Sequence, residues 1–424
     1  MMLNELFQVL GINKEIKDAV IKNICTDSRK IKKGDIYIAL NGKKYNGNDY
    51  AIEALKKGAL IAVVDEFIDY DGCIKVENTY LALYKIGNYL RKKYNIPLIA
   101  ITGSNGKTTT KELISFILKD KYNVLYNKEN QNNLIGVSQT LFNLNKSHEI
   151  IVMELGSNHM GEISELSKLC EPNVGIITNI GSSHLKYFKN KKNIYKEKKS
   201  IVDGIKEGKL IVNGDDKYLI KENAIKCGFN LNNDLIAYGV KEEKNRISFN
   251  IKLDKEYKII FNNPGVHFIN DILLVIMCCL DFVPINIIIK RIKNFRILDK
   301  RMSIKKCNTN LIINDCYNSS FESFVAGFNY LKKLNGSKVI IFADILELGK
   351  HSKYIHKKIS KLIEKNITVY TVGNYSKYLN GIHFNTVTDL INYLKSNPIK
   401  NSNIYIKGSR RMGLDLVVDF LLKK

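Results

Sequence analysis

Apolar and polar positions alternate along the chain in short blocks whose period keeps changing. Asp35 to Leu40 alternates and predicts a strand, Asp49 to Gly58 has helical spacing closed by a glycine, and Leu60 to Asp65 predicts a second strand. These blocks make a small α/β unit. A polar helical stretch ends near Lys93, after which the apolar run Pro97 to Thr102 enters a glycine-rich turn and then a helix from Lys107 to Lys119. A second unit therefore begins near residue 96, and strands over Glu149–Glu154 and Val174–Asn179 continue its alternating order. The pattern restarts around Phe295–Asp299, where Leu311–Asp315, Lys338–Asp344, Thr368–Val372 and Asn403–Lys407 are apolar strands separated by helical stretches. Alternation of this kind implies an α/β protein with parallel, doubly wound sheets. Three domains are expected, over residues 1–95, 96–297 and 298–424. The last is Rossmann-like in architecture, but it lacks a G-x-G-x-x-G after its first strand and so is not bound to hold a dinucleotide.

Composition narrows the class. A chain of 424 residues with 45% hydrophobic and 25% charged positions, 27 Gly and 5 Pro is globular, neither fibrous nor of low complexity. The formal charge of +24 would attract polyanions, yet only eight of the 66 basic residues are arginine, and the lysines are spread evenly among Asn and Ile. AT-rich codon usage alone accounts for that pattern, and no nucleic-acid recognition motif accompanies it. The eight cysteines include no C-x-x-C pair, which predicts free thiols in a reducing compartment. The longest apolar run, Ile272 to Leu280, is bracketed by Asp271 and Asp281 and is far shorter than the ~20 residues a membrane span needs. MMLNELFQVL has no basic start before an apolar core, so a cytoplasmic protein without a membrane partner is expected.

The strongest chemical signal lies between a predicted strand and a predicted helix, in Gly103-Ser104-Asn105-Gly106-Lys107-Thr108-Thr109. Glycines let successive backbone N–H groups converge on phosphate oxygens, the helix start adds positive potential, Lys107 reaches the transferred phosphate, and the Thr108 hydroxyl suits Mg²⁺. The loop is shorter than G-x-x-x-x-G-K-[ST], and a plain glycine turn is the bland alternative. Glu154 and His184 follow the ends of the next strands, where α/β sheets place ligands. Singly, each reads equally well as a solvated loop residue.

The arrangement resembles the Mur ligases of peptidoglycan synthesis nearly end to end. Thr-Gly-x-x-Gly-Lys-Thr-Thr is shared by that whole family. Asn130–Gly136, Glu154-Leu155-Gly156 leading to Gly161-Glu162-Ile163, Asp315-Cys316-Tyr317-Asn318, Asp344-Ile345-Leu346-Glu347-Leu348-Gly349 and Lys407-Gly408-Ser409-Arg410 look like the branch that adds D-alanyl-D-alanine to UDP-N-acetylmuramoyl-tripeptide. The resemblance implies a monomeric three-domain ATP-dependent amide ligase with a uridine-nucleotide-binding first domain, an ATP-binding centre and a Rossmann-like third domain. It implies that Thr108, Glu154, His184 and Lys198 hold Mg²⁺, Lys198 as a carbamate, with Lys196 and Lys199 as alternatives on the same basic helix. Arg301 would close on the ATP phosphates, Asn270 and Asp315 would contact the nucleotide, and Ser28, Asn133, Asn318 and Lys407 would contact the substrates.

The chain departs from the family pattern at three places. Asn46-Gly47-Asn48 stands for Asp-Gly-His, Tyr317-Asn318-Ser319-Ser320-Phe321 for Tyr-Asn-Ala-Asn-Pro, and in Gly265-Val266-His267-Phe268-Ile269-Asn270-Asp271 the last Asn of Gly-x-His-Asn-x-x-Asn is either replaced by Asp271 or shifted to Asn270. The changes touch the adenine and amine regions and leave the phosphate and metal residues intact. Competing readings are a sister ligase that adds one amino acid or works on folate, a nucleotide-binding regulator that has lost catalysis, and, from charge alone, a nucleic-acid binder.

Overall fold

The computed structural model describes residues 1–14, 17–128, 130–243, 245–297 and 299–423; Leu298, where the third segment is expected to begin, lies outside them. The first segment holds four short parallel strands in the order Ile24–Cys25, Ile36–Ile38, Ala62–Val64, Cys73–Lys75. Helix Thr79–Tyr94 covers this sheet and also joins it to the next. Asn78 caps its start by accepting the Leu81 N–H, and Ala82, Leu83, Ile86 and Leu90 bury one face in the first core. Gly87 faces the other way, so close to the central segment that a Cβ there would lie 3.2 Å from Leu169 Cδ1. Nearby, the buried Arg91 guanidinium donates to the carbonyls of Cys170 and Glu171 at 2.7 and 3.2 Å. This junction is therefore filled by side chains and satisfied at its charged point.

The central sheet has seven parallel strands, with Leu98–Thr102 between Val174–Ile177 and Ile150–Glu154. Its strands are buried on both faces, as parallel sheets require. Helices Lys107–Leu118 and Phe268–Cys279 cover one side. The apolar run at Ile272–Leu280 thus belongs to a core helix, in which each buried Leu or Ile contributes about 1.5–3 kcal/mol. Among the described residues no helix is long and apolar enough to cross a membrane.

Two features differ from the all-parallel expectation. Strands Tyr238–Glu243, Arg246–Lys252 and Glu256–Phe261 form a separate antiparallel sheet, because short connections can only return a strand antiparallel. For the same reason, Ser303–Cys307 turns at Asn308 (φ 51°) and pairs antiparallel with Asn310–Asp315 at the edge of the third sheet. The other five strands there are parallel, in the order Asn310–Asp315, Ser402–Lys407, Ser337–Ala343, Thr368–Val372, Ile382–Phe384. All eight cysteines are free thiols; Cys73 and Cys307 are only half-buried, and the others are buried.

Candidate active site

The strand Leu98–Thr102 and the helix Lys107–Leu118 are joined by a loop that only glycine can build. Gly103 has φ +142° and Gly106 φ +84°; a Cβ on Gly103 would lie 2.0 Å from Thr178 Oγ1, and one on Gly106 2.4 Å from Asp271 Oδ1. The next strand over ends at Ile177 instead of running to Asn179, because Thr178 and Asn179 turn to brace this loop. Thr178 Oγ1 donates to the Asn105 carbonyl at 2.5 Å, Asn179 Nδ2 donates to the same carbonyl at 3.0 Å, and the Gly181 N–H donates to Ser104 Oγ at 2.8 Å. Lys107 Nζ donates to the Gly103 carbonyl at 2.7 Å, which lays its ammonium along the loop. Burial lowers its pKa from the ordinary lysine value; Glu154 opposes that shift and Arg301 adds to it.

Around the loop lies a cavity of about 710 Å³. Its walls include Ser104 to Thr109, Asn133, Glu154, His184, Asn270, Arg301, Asp315, Asn318 and Lys407, residues far apart in the sequence. The Thr108 hydroxyl donates to Glu154 Oε2 at 2.7 Å and accepts from Arg301 Nη2 at 3.0 Å, and the Arg301 guanidinium stacks 4.0 Å from the centre of the Tyr317 ring. Lys198 is 2% exposed and sits just behind the wall, donating to Ser157 Oγ at 2.8 Å. Burial, reinforced by repulsion from Lys107, pushes its pKa down to about 7. Its neighbours separate from it: Lys196 is exposed, and Lys199 pairs with Glu222.

Third-domain residues close the opposite wall. Lys407 Nζ lies 2.5 Å from Asp315 Oδ2, which also accepts from the Tyr405 hydroxyl at 3.1 Å. Burial raises the Asp315 carboxyl above its usual range, and Lys407 restrains the shift. His267, next to this pair, is driven down to about 4 by burial and by Lys407, so the ring is neutral near pH 7.

Two expected residues behave differently. Ser28 is buried in the first segment, outside the cavity, in a 3₁₀ turn capped by Asp27; next to it, Thr26 Oγ1 accepts from Gln139 of the central segment. Asn133 reaches the cavity, but its side-chain oxygen caps helix Leu134–Phe142 by accepting the Gly136 N–H. Its neighbour Asn132 instead donates to Glu154 Oε1 at 2.8 Å. Asn132, Ser157, Asn179 and Glu322 were not singled out from the sequence, although the run Asn130–Asn133 was a signal for the first of them.

Similarity to known proteins agrees with this geometry. Residues 101–279 match the Mur ligase middle domain, and residues 20–88 match the model described as Mur ligase family, catalytic domain. The chain is 33% identical over 427 residues to a UDP-N-acetylmuramoyl-tripeptide--D-alanyl-D-alanine ligase of Buchnera aphidicola, covering 95% of this chain and 93% of that one. It is 32% identical to the Rickettsia prowazekii ligase of the same name, with 97% of each covered. A crystal structure of MurF from Acinetobacter baumannii superposes with a TM-score of 0.91 at 28% identity, covering 99% of this chain and 98% of that one. Agreement over the whole length, with the loop, Glu154, His184 and the third-domain residues gathered at one cavity, makes this chain a member of the Mur ligase family.

Proposed function

We propose that the chain is an ATP-dependent ligase that joins the amine of D-alanyl-D-alanine to the terminal carboxylate of UDP-N-acetylmuramoyl-tripeptide, yielding the UDP-muramoyl-pentapeptide for peptidoglycan synthesis. The observation that carries the reading is the single cavity in which the phosphate loop of the central domain faces Arg301, Asp315, Asn318 and Lys407 of the third. Over its full length the chain also parallels relatives named for that reaction.

In this mechanism the tripeptide carboxylate attacks the γ-phosphorus of ATP, and ADP leaves. The resulting acyl phosphate is attacked at its carbonyl carbon by the free amine, which loses a proton as the amide forms and phosphate departs. The loop N–H groups, Lys107 and Arg301 offset charge on the transferred phosphoryl oxygens, where most catalysis of phosphoryl transfer originates. The closed third domain keeps water from the acyl phosphate.

Thr108 Oγ1 and Glu154 Oε2, 2.7 Å apart, supply oxygen donors of the type Mg²⁺ prefers, and His184 stands on the same cavity wall. Among the described residues no three Asp, Glu, His or Cys side chains cluster as a metal site. Waters and the ATP phosphates can fill other Mg²⁺ positions, and Lys198 can add an oxygen donor: an amine with a pKa near 7 is largely neutral at slightly basic pH and can add CO₂ to become a carbamate. Bound Mg²⁺ would neutralise phosphate charge. Ser28, away from the cavity, fits the uridine-nucleotide end of the substrate.

Phosphate release from ATP, measured with UDP-N-acetylmuramoyl-tripeptide in the presence and absence of D-alanyl-D-alanine, tests the assignment. Release that depends on the dipeptide is expected. Preference for a single amino acid would move the chain to a sister activity, and no amine dependence would remove the ligase reading.

A further inference from the structure

The segment Ser182–Lys191 belongs to the central domain, yet much of what holds it comes from the third. Glu322, in the first turn of helix Phe321–Lys333, accepts the Ser182 N–H through Oε2 at 3.1 Å, and through Oε1 the Ser182 hydroxyl at 2.5 Å and Lys191 Nζ at 2.8 Å. Glu347, in the loop after strand Ser337–Ala343, places Oε2 2.5 Å from His184 Nδ1, while its own carbonyl accepts the Lys186 N–H at 2.8 Å. Arg411 stands 3.7 Å from the other Glu347 oxygen.

Two further observations show that this contact is built. His184 and Glu347 both have left-handed backbones, with φ +58° and +67°, a conformation that costs a non-glycine residue energy and persists where surroundings enforce it. The two strained residues meet each other across the domain boundary. Burial alone would raise the Glu322 carboxyl, but the hydrogen bonds from Lys191 and Ser182 outweigh it and hold the group ionised. An ionised carboxylate so placed makes charge-assisted bonds, roughly twice as strong as neutral ones.

We propose that Glu322 and Glu347 are positioning residues that clamp the 182–191 segment, so that His184 takes its working place at the cavity only while the third domain is closed on the central one. Neither carboxylate enters the chemistry. They act through His184 and through the direction in which the segment leads into helix Lys191–Lys199, which carries Lys198. Closure and completion of the cavity wall then become one event, and hydrolysis of ATP by an open enzyme is suppressed. The inference rests on the ligase reading for its consequences, although the clamp itself is a structural statement.

Glu322→Gln, Glu347→Gln and the double variant test it in the full chain. Dipeptide-dependent kcat is expected to fall about tenfold in each single variant and about a hundredfold in the double variant, the scale of loss that small misplacements produce. ATP KM should stay within about twofold, because Glu322 and Glu347 do not touch the phosphate loop. Small-angle scattering with ATP and UDP-N-acetylmuramoyl-tripeptide should show the double variant more extended than the parent. A kcat within twofold of the parent in the double variant, unchanged compaction, or a loss of ATP affinity equal to the loss of kcat would each overturn the clamp. An inactive parent would sink the ligase reading instead, and scattering would still decide whether the clamp exists.

Discussion

The phosphate loop at 103–109 and the segment at 182–191 leave the ends of adjacent strands in one sheet, but they are held by different means. The loop is braced mainly inside its own domain by Thr178, Asn179 and Gly181, with Lys107 along its carbonyls, and it accepts two bonds from the third, Arg301 Nη2 to Thr108 Oγ1 and Ser320 Oγ to Asn105 Oδ1, each at 3.0 Å. The segment at 182–191 donates from Ser182 and Lys191 to Glu322 of the third domain and from the Lys186 N–H to the Glu347 carbonyl, and it sets His184 beside the Glu347 carboxylate. The first region is held chiefly from within its domain, the second chiefly across the domain boundary. Under the proposed ligase mechanism and clamp, a loop held from within can receive nucleotide before the third domain closes, and completing the second region by closure would protect a water-sensitive acyl phosphate.

Removing the loop's own cation should separate the two regions most sharply. In Lys107→Ala, kcat is expected to drop about 10³-fold, the scale reported for deleting one group that stabilises transition-state charge. Scattering with substrates should still show compaction, since the clamp residues are intact. Loss of compaction as well would mean that Lys107 and closure are coupled, and the comparison would break.

Gly103→Ala strikes the bracing of the same loop. The added methyl would come within 2.0 Å of Thr178 Oγ1 at a backbone angle that side chains rarely adopt. Relief requires Thr178 to move and its bond to Asn105 to break, so unfolding free energy should fall by about 2–4 kcal/mol in urea titrations. A near-neutral result would show that the loop tolerates rearrangement and is not held by this bracing.

The same contrast explains what the sequence could reveal. The loop residues are contiguous and sit between an apolar strand and a helix start, so spacing alone exposes them. Glu154 and His184 follow strand ends and were reachable by topology. Glu322 was not, since its bond to Ser182 spans 140 residues and a carboxylate in a helix's first turn has an ordinary local explanation. Glu347 stood inside the quoted Asp344–Gly349 motif without a role, because its partner, His184, lies in another domain. The hairpin strand Ser303–Cys307 escaped similarly, as its half-buried, lysine-bearing pattern lacks the apolar run of its parallel neighbours.

Asp271→Asn gives the smallest effect and probes a cost built into the region held from within. Asp271 is 7% exposed on helix Phe268–Cys279, with its carboxylate against Gly106 of the loop. Burial raises its pKa from 3.8 to about 7. The unfolded chain releases this proton near 3.8, so between there and about pH 7 the folded state binds more protons, and stability declines as pH rises through that window. Asparagine has no proton to lose. The variant should therefore be as stable as the parent near pH 4 and more stable by about 1–2 kcal/mol near pH 8; the full shift would give about 4, but the side chain borders a cavity open to water, which screens its charge. Removing a negative charge beside the phosphate loop should also tighten ATP binding at that pH. Urea unfolding at the two pH values and calorimetric titration of ATP measure both effects, and equal stabilities at pH 8 would show that the fold does not bear an ionised Asp271 against its phosphate loop.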